Sequence, residues 1–177
     1  MDTLSAILSR KSIRYFQDKP VPEDAVSTIL KAGMAGPTAV NARDWSFIVV
    51  TDRDRLDRMA AGNGPAADPL RRAPLGILLC GDVSRSFVKA PDYWIIDGAI
   101  AGQNMLLAAH ELGLGGVWLG TWPQEEKMAA QAALFGLPDH IKPHSLFAFG
   151  YPPVADDDPK RRVKPDWEAD RVHYEVW

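Results

Sequence analysis

The chain has one cysteine, Cys80, in 177 residues. That count excludes an intrachain disulfide framework and a cysteine-cluster metal site. It has no surplus of one charge: 20 Lys and Arg stand against 23 Asp and Glu, a net charge of −3. A general nucleic-acid binder carries a strongly basic face, so no nucleic-acid partner is predicted. Long apolar runs are also missing. The most apolar region, residues 94–118, is broken by Asp97, Gln103, Asn104, His110 and Glu111. It falls short of the roughly 18 uninterrupted apolar residues of a membrane span. The start, Met1-Asp2-Thr3-Leu4-Ser5, lacks a basic region leading into an apolar one. No secretory leader is therefore expected, and a cytoplasmic location is the default. The composition is ordinary for a folded protein, with 46% hydrophobic and 24% charged residues. That excludes wholesale disorder and low-complexity fibres. The length suits a single domain over residues 1–177, and no internal repeat is visible.

Helical and strand-like segments alternate. Leu4, Ile7 and Leu8 form a short helical stripe that Asp2 or Thr3 can cap. Pro22, Glu23 and Asp24 open a second helix with Val26, Ile29 and Leu30 on its apolar face, and Gly33 and Gly36 are expected to end it. Residues 35–44 read as a loop and residues 45–50 as a strand. Asp52 can cap a charged helix carrying Leu56 and Met59. Residues 62–69, rich in Gly and Pro, read as a loop. Residues 75–80, bounded by Pro74 and Gly81, read as a buried strand. Residues 94–112 predict the longest helix. Its nearly all-round apolar surface places it centrally or in an oligomer interface. Next come a strand over residues 115–120, a helix from Pro123 to near Gly136 and a last core strand over residues 145–149. Residues 151–177 form a tail. Its end (Val172, Tyr174, Val176, Trp177) is too apolar to dangle in water and is expected to dock, as on a second subunit.

Several motifs fail on physical grounds. Gly62-x-Gly64-x-x-Ala67 matches the dinucleotide fingerprint as a string, but the segment before it reads as a charged helix, and Pro65 and Pro69 interrupt the helix that the motif needs after it. No Walker loop and no nucleophile elbow is present. His140 and His144 have the spacing of helical metal ligands, but Pro143 between them argues against a helix. No metal site is predicted. Cys80 in its apolar run reads as a small core residue.

The charged segment at residues 10–14 carries more. Arg10, Lys11 and Arg14 flank Ser12, offering two guanidiniums, an ammonium and a hydroxyl to a phosphate dianion. Cations at a helix C-terminus explain the same charges equally well. The order of motifs along the rest of the chain separates the two explanations. Arg-Lys-Ser-Ile-Arg-x-Phe begins at residue 10, and Gly-Pro-Thr-Ala-x-Asn-x-x-x-Trp-x-Phe-x-Val spans residues 36–49. Asp-Gly-Ala…Gln-Asn lies at residues 97–104, Gly-Leu-Gly-Gly-x-Trp-x-Gly at 113–120, and Phe-Gly-Tyr-Pro at 149–152. The tail adds Lys160-x-Arg162 and His-Tyr-x-x-Trp at 173–177. This succession resembles the FMN-dependent nitroreductase family, in a short form, over essentially the whole chain.

The resemblance implies an α+β fold, a three-layer α/β/α sandwich with a mixed sheet flanked by helices. It implies a homodimer whose tails, residues 151–177, wrap the other subunit, with FMN at the interface. By the same resemblance, Arg10, Lys11, Ser12 and Arg14 bind the FMN phosphate and reach toward the ribityl and pyrimidine side. Pro37, Thr38, Ala39 and Asn41 form the loop from the other subunit that lines the isoalloxazine. The backbone at Gly115 and Gly116 approaches flavin N5, and Lys160 and Arg162 complete the phosphate site. Family members usually carry Gln-Pro where this chain has Arg43-Asp44, a change that bears on substrate preference.

The expected activity is a ping-pong oxidoreduction. NADH or NADPH gives a hydride to flavin N5, and a small acceptor such as a nitroaromatic or quinone takes the electrons. The chemistry is the flavin's, so no catalytic side chain is assigned. Trp45, Phe87, Trp94 and Trp122 are candidates for stacking on substrate or for the core. Residues 62–69 or 83–93 are candidate lids. A reductive dehalogenase or another specialised member of the superfamily is an alternative. A non-catalytic FMN sensor or storage protein is another, and an anion-binding dimer without flavin is a third.

Overall fold

The computed structural model describes residues 2–153 and 167–177. Its elements match the predicted alternation. Helix α1 (Thr3–Ser9) is capped by Asp2, whose carboxylate accepts from the Ser5 amide at 3.1 Å and the Ser5 hydroxyl at 2.5 Å. Helix α2 (Glu23–Met34) starts after an extended Pro22 and carries Glu23 and Asp24 in its first turn. Strand β1 (Trp45–Val50) leads into α3 (Arg53–Asn63), where the Asp52 carboxylate accepts from the Arg55 amide at 3.0 Å. Strand β2 (Leu75–Asp82), helix α4 (Tyr93–Glu111) and strand β3 (Gly115–Gly120) come next. Helix α5 (Glu125–Phe135), which starts two residues after Pro123 and ends at a left-handed Gly136, precedes β4 (Ile141–Gly150).

One local expectation is refined and one corrected. Helix α2 stops at Met34, between the two glycines expected to end it, and Gly33 lies in its last turn, where a Cβ would stand 2.9 Å from Met105 Cγ. The glycine serves close packing of α2 on α4. Residues 62–69 are not a loop: α3 runs to Asn63 and a 3₁₀ helix spans Pro65–Arg71, with Ala67, Pro69 and Leu70 buried. The Arg53 guanidinium closes the end of that helix, donating to the carbonyls of Leu70, Arg71 and Ala73.

The sheet has four strands in the order β1-β2-β4-β3, and each neighbouring pair is antiparallel. Parallel pairing among the described residues is confined to a bridge between Ser12 and Gly116 on the β3 edge. Alternation along the strands sorts side chains into two cores. Leu75, Ile77, Leu79, Phe147 and Phe149 meet α2 and α4, whereas Leu78, Cys80, Leu146 and Ala148 meet α3, the 3₁₀ helix and α5. The α+β, three-layer arrangement is the expected one, but the expectation of a mixed sheet is corrected: the four strands of the described residues pair antiparallel throughout. Cys80 is a core residue whose thiol is pushed up to about 12 by burial. Among the described residues, no helix is long and apolar enough to cross a membrane.

The β2–β4 ladder slips once. Leu79 pairs with Ser145 and Cys80 with Pro143, so His144 is the extra residue of a bulge. The bulge turns His144 toward α4. Its Nε2–H donates to the Ile95 carbonyl at 2.9 Å, and its ring sits edge-on to Trp94 and Trp118. His140 stays exposed. Burial holds His144 below its ordinary 6.5, opposed by the bond to Ile95. Below about pH 6.5 the unfolded chain therefore takes up a proton that the folded one refuses, and stability falls as the pH drops. Denaturant midpoints at about pH 7.5 and about pH 5.5 are expected to differ less in His144→Phe than in the unsubstituted protein.

Candidate functional site

The segment after α1 is fastened to the β3 edge. The Ile13 amide donates to the Gly116 carbonyl at 3.0 Å, Ser12 bridges Gly116, and Ile13 is buried. Arg10, Ser12 and Arg14, at alternate positions, are half-buried, and Lys11 is exposed. Arg10 is also the C-cap of α1, so the helix-end explanation of its charge is realised in part. That role leaves its Nε enclosed and without a hydrogen-bond partner among the described residues. An enclosed guanidinium N–H with no acceptor, beside a second guanidinium, an ammonium and a hydroxyl, suits an anion.

Gly115 and Gly116, the first residues of β3, lie beside this segment, and packing gives a reason for both. A Cβ on Gly115 would stand 2.4 Å from Ile13 Cγ1, and one on Gly116 would stand 2.7 Å from Phe149. The missing side chains make room for the chain's own packing.

The second candidate segment, with Pro37, Thr38, Ala39 and Asn41, contains a short 3₁₀ turn (Ala39–Asn41) with positive φ at Val40 (48°), Asn41 (58°) and Arg43 (51°). Such residues cost on the order of 1–3 kcal/mol each and need surroundings that hold them. The Thr38 hydroxyl accepts from the Arg43 amide at 3.0 Å, and Asn41 Oδ1 from Arg43 Nε at 3.1 Å. The Ala39 amide donates to Asp97 Oδ2 at 3.0 Å. At the far end the Asp44 carbonyl accepts from the Asp82 amide at 2.6 Å, and Asp44 Oδ2 accepts from the Ser86 hydroxyl at 2.8 Å. The anchoring roles of Asp97 and Asp44 escape the sequence; the one available signal is an acid inside an otherwise apolar helix.

The cradle and this loop stand at diagonal corners of one chain. Across the sheet, β1 and β3 are separated by three strand spacings, roughly 14 Å. Along the strands, Trp45 pairs with Gly81 and so aligns with Lys142, whereas Gly116 aligns with Phe149, seven residues or roughly 23 Å further along β4. Helix α4 gives an independent measure. Ala39 bonds to Asp97 and Ser9 Oγ to His110 Nε2 at 2.8 Å, thirteen residues or roughly 20 Å apart on α4.

Other candidates are sorted by position. Trp94 is buried against Trp122 and His144, Trp45 is half-buried with its Nε1 unpartnered among the described residues, and Trp122 is partly exposed. Residues 62–69 belong to the α3 and α5 layer, whereas residues 83–93 touch the loop through Ser86 and Arg85. Lys160 and Arg162 lie outside the described residues. Among those described, no cluster of three or more potential metal ligands occurs.

Fold and site together define a three-layer α+β protein with a cluster of cationic and hydroxyl donors, Arg10, Lys11, Ser12 and Arg14, beside its sheet edge. The Nitroreductase family profile matches residues 7–69 and 62–151, and the chain belongs to that family. It is similar to a "Putative NADH dehydrogenase/NAD(P)H nitroreductase" of Methanothermobacter thermautotrophicus, 42% identical over 100% of this chain and 88% of the relative. A crystal structure of the same description from Parabacteroides distasonis superposes with a TM-score of 0.89 at 37% identity, covering 99% of this chain and 98% of that one. An FMN-dependent nitroreductase from Clostridium difficile superposes with a TM-score of 0.85 at 27% identity, covering 99% and 100%.

Val40 is β-branched, 70% exposed and left-handed, so its strain is not offset by burial. Val40→Asn, which tolerates that conformation, is expected to stabilise the protein by about 1 kcal/mol. Thermal melting checks it, with a rise of about 2–4 °C expected.

Proposed function

We propose that this chain is an FMN-dependent NAD(P)H oxidoreductase acting as a homodimer. Each flavin is held between the cradle of one protomer and the loop of its partner. The observation that carries this reading is the diagonal separation of the two segments, read together with the family. An offset of roughly 14 Å across the sheet and roughly 23 Å along it favours one flavin reaching the cradle of one chain and the loop of a second over its reaching both on a single chain. Exposed apolar side chains support an association. Leu4 and Leu8 on α1 and Ile96 on α4 are open, as are Trp167, Tyr174, Val176 and Trp177, the last 99% exposed.

The residues fit the cofactor. Arg10, with its unpartnered Nε, Lys11, Ser12 and Arg14 would hold the phosphate dianion, and Lys160 and Arg162 of the tail would complete its neutralisation. Arg14 would also favour negative charge on the pyrimidine side of the ring. Gly115 and Gly116 would offer backbone at N5, and Pro37, Thr38, Ala39 and Asn41 would line the ring from the partner. Bound FMN would supply the redox chemistry, hydride transfer from NADH or NADPH and electron transfer to a nitroaromatic or quinone in a ping-pong cycle. This chain's own part is to bind, orient and tune, and no side chain is assigned as acid or base. Arg43, exposed and held by Asn41, brings positive charge to the mouth where family members usually have glutamine.

Two outcomes test the reading. The purified protein is expected to be yellow and to release FMN on denaturation. Arg10→Ala or Arg14→Ala should weaken FMN binding about 10- to 100-fold, the worth of a charge-assisted hydrogen bond. Subunit mixing tests the shared site. A cradle variant (Arg14→Ala) and a loop variant (Ala39→Trp) should each bind FMN poorly as homodimers. Their mixed dimer regains about one tight site, because one cradle and one loop remain intact opposite each other. No recovery on mixing would place both segments on the same chain's flavin and overturn the reading.

A further inference from the structure

At the base of the strained loop two buried carboxyls face each other. Asp44 is 1% exposed and Asp97 3% exposed, and the Asp97 carboxyl lies within hydrogen-bonding reach of that of Asp44. One oxygen of each has a donor: Asp97 Oδ2 takes the Ala39 amide and Asp44 Oδ2 takes the Ser86 hydroxyl. Asp44 Oδ1 is enclosed and has no donor among the described residues. No cationic side chain among the described residues pairs with either acid. The nearby charges are committed elsewhere: Arg43 Nε to Asn41, the Arg85 guanidinium to the Ala42 carbonyl at 3.4 Å, and the Asp82 carboxylate to Ser84 at 2.5 Å. His144, beside Gly98 one residue along α4, is turned to the Ile95 carbonyl. Two carboxylates cannot both be ionised side by side in such surroundings, whereas a single proton between them supplies the donor that Asp44 lacks.

We propose that Asp44 and Asp97 share one proton and act as a clasp that holds the 38–43 loop in its left-handed conformation. Asp97 fastens the first half of the loop through Ala39, and Asp44 fastens the second half to β2 and to Ser86. Both are positioning residues. The Gln-Pro usual in the family at the positions of Arg43-Asp44 offers no carboxyl for such a clasp. What the loop touches rests on the function proposed above; the clasp itself does not.

Burial, then the neighbouring charge of Asp44, hold Asp97 above its ordinary 3.8. The folded state therefore keeps a proton that the unfolded chain releases, and the clasp's contribution is present at low pH and lost as the pH rises through the raised value. The full-length protein as purified is melted between about pH 5 and about pH 8 as Asp44→Asn, Asp44→Ala and unsubstituted forms. An asparagine amide replaces the shared proton at every pH. Asp44→Asn is thus expected to melt at least as high as the unsubstituted protein at the alkaline end, with a flatter pH dependence. Asp44→Ala is expected to melt lower by roughly 3 °C or more across the range. Carbon-13 spectra of the aspartate carboxyls should show one of the pair protonated well above the usual ~3.9. The proposal is overturned if Asp44→Asn keeps the unsubstituted pH dependence or loses as much as Asp44→Ala. Ordinary titration of both acids overturns it as well. Melting and carboxyl resonances decide the clasp even if the protein binds no flavin, so its failure is separable from failure of the function.

Discussion

How closely α4 can lie against the sheet decides most of this structure. A Cβ on Gly102 would stand 2.4 Å from Trp118 and 2.6 Å from Phe147, and one on Gly98 would stand 2.9 Å from the His144 ring. From the sheet side, a Cβ on Gly81 would stand 2.3 Å from Trp94. On its other flank α4 receives α2 through Gly33 and Gly36, against Met105 and Ile100. Side chains on both flanks occupy the volume those methyl groups would need, so the helix buries the faces turned to the sheet and to α2 while Ile96 stays open. The bulge at His144 then fixes the helix along its length by a bond to the Ile95 carbonyl. With α4 fixed, its two ends hold the two candidate segments apart, Asp97 carrying the loop and His110 carrying α1.

Much of this order was legible because it is written in short-range signals. Asp2 and Asp52 cap as their side chains allow, Gly115–Gly120 is a strand between glycines, and Gly136 ends α5 in the left-handed conformation. The departures fall where tertiary packing adds to or overrides local preference. Gly33 lies in the last turn of α2, near the stop it looks like, and is also a contact point for Met105. Residues 62–69 look like a loop, yet Leu70 and Ala67 are drawn into the core and Arg53 ties off the resulting 3₁₀ helix from a distance of many residues. No local pattern encodes a carbonyl cluster that another segment's arginine will satisfy.

The site divides in the same way. The donors at residues 10–14 could be read because charge and spacing are visible in a string. The packing reason for Gly115 and Gly116 could not, since Ile13 and Phe149 meet them only in three dimensions. Asp97 and Asp44 were hidden for a related cause. An acid in an apolar helix and an acid after an arginine look like interruptions until the fold places them together. The conformation of Val40, Asn41 and Arg43 was equally invisible, because only Asn41 belongs to a residue type that favours positive φ.

The diagonal placement of cradle and loop has a thermodynamic consequence. A ligand gripped from two chains binds the associated state better than the separated one, so by mass action it tightens subunit association as much as association tightens its binding. On the proposed shared site, cofactor retention would be a property of concentration as well as of contacts. Dilution, or a surface change that weakens the association, would then drain the cradle without altering a residue that touches the cofactor.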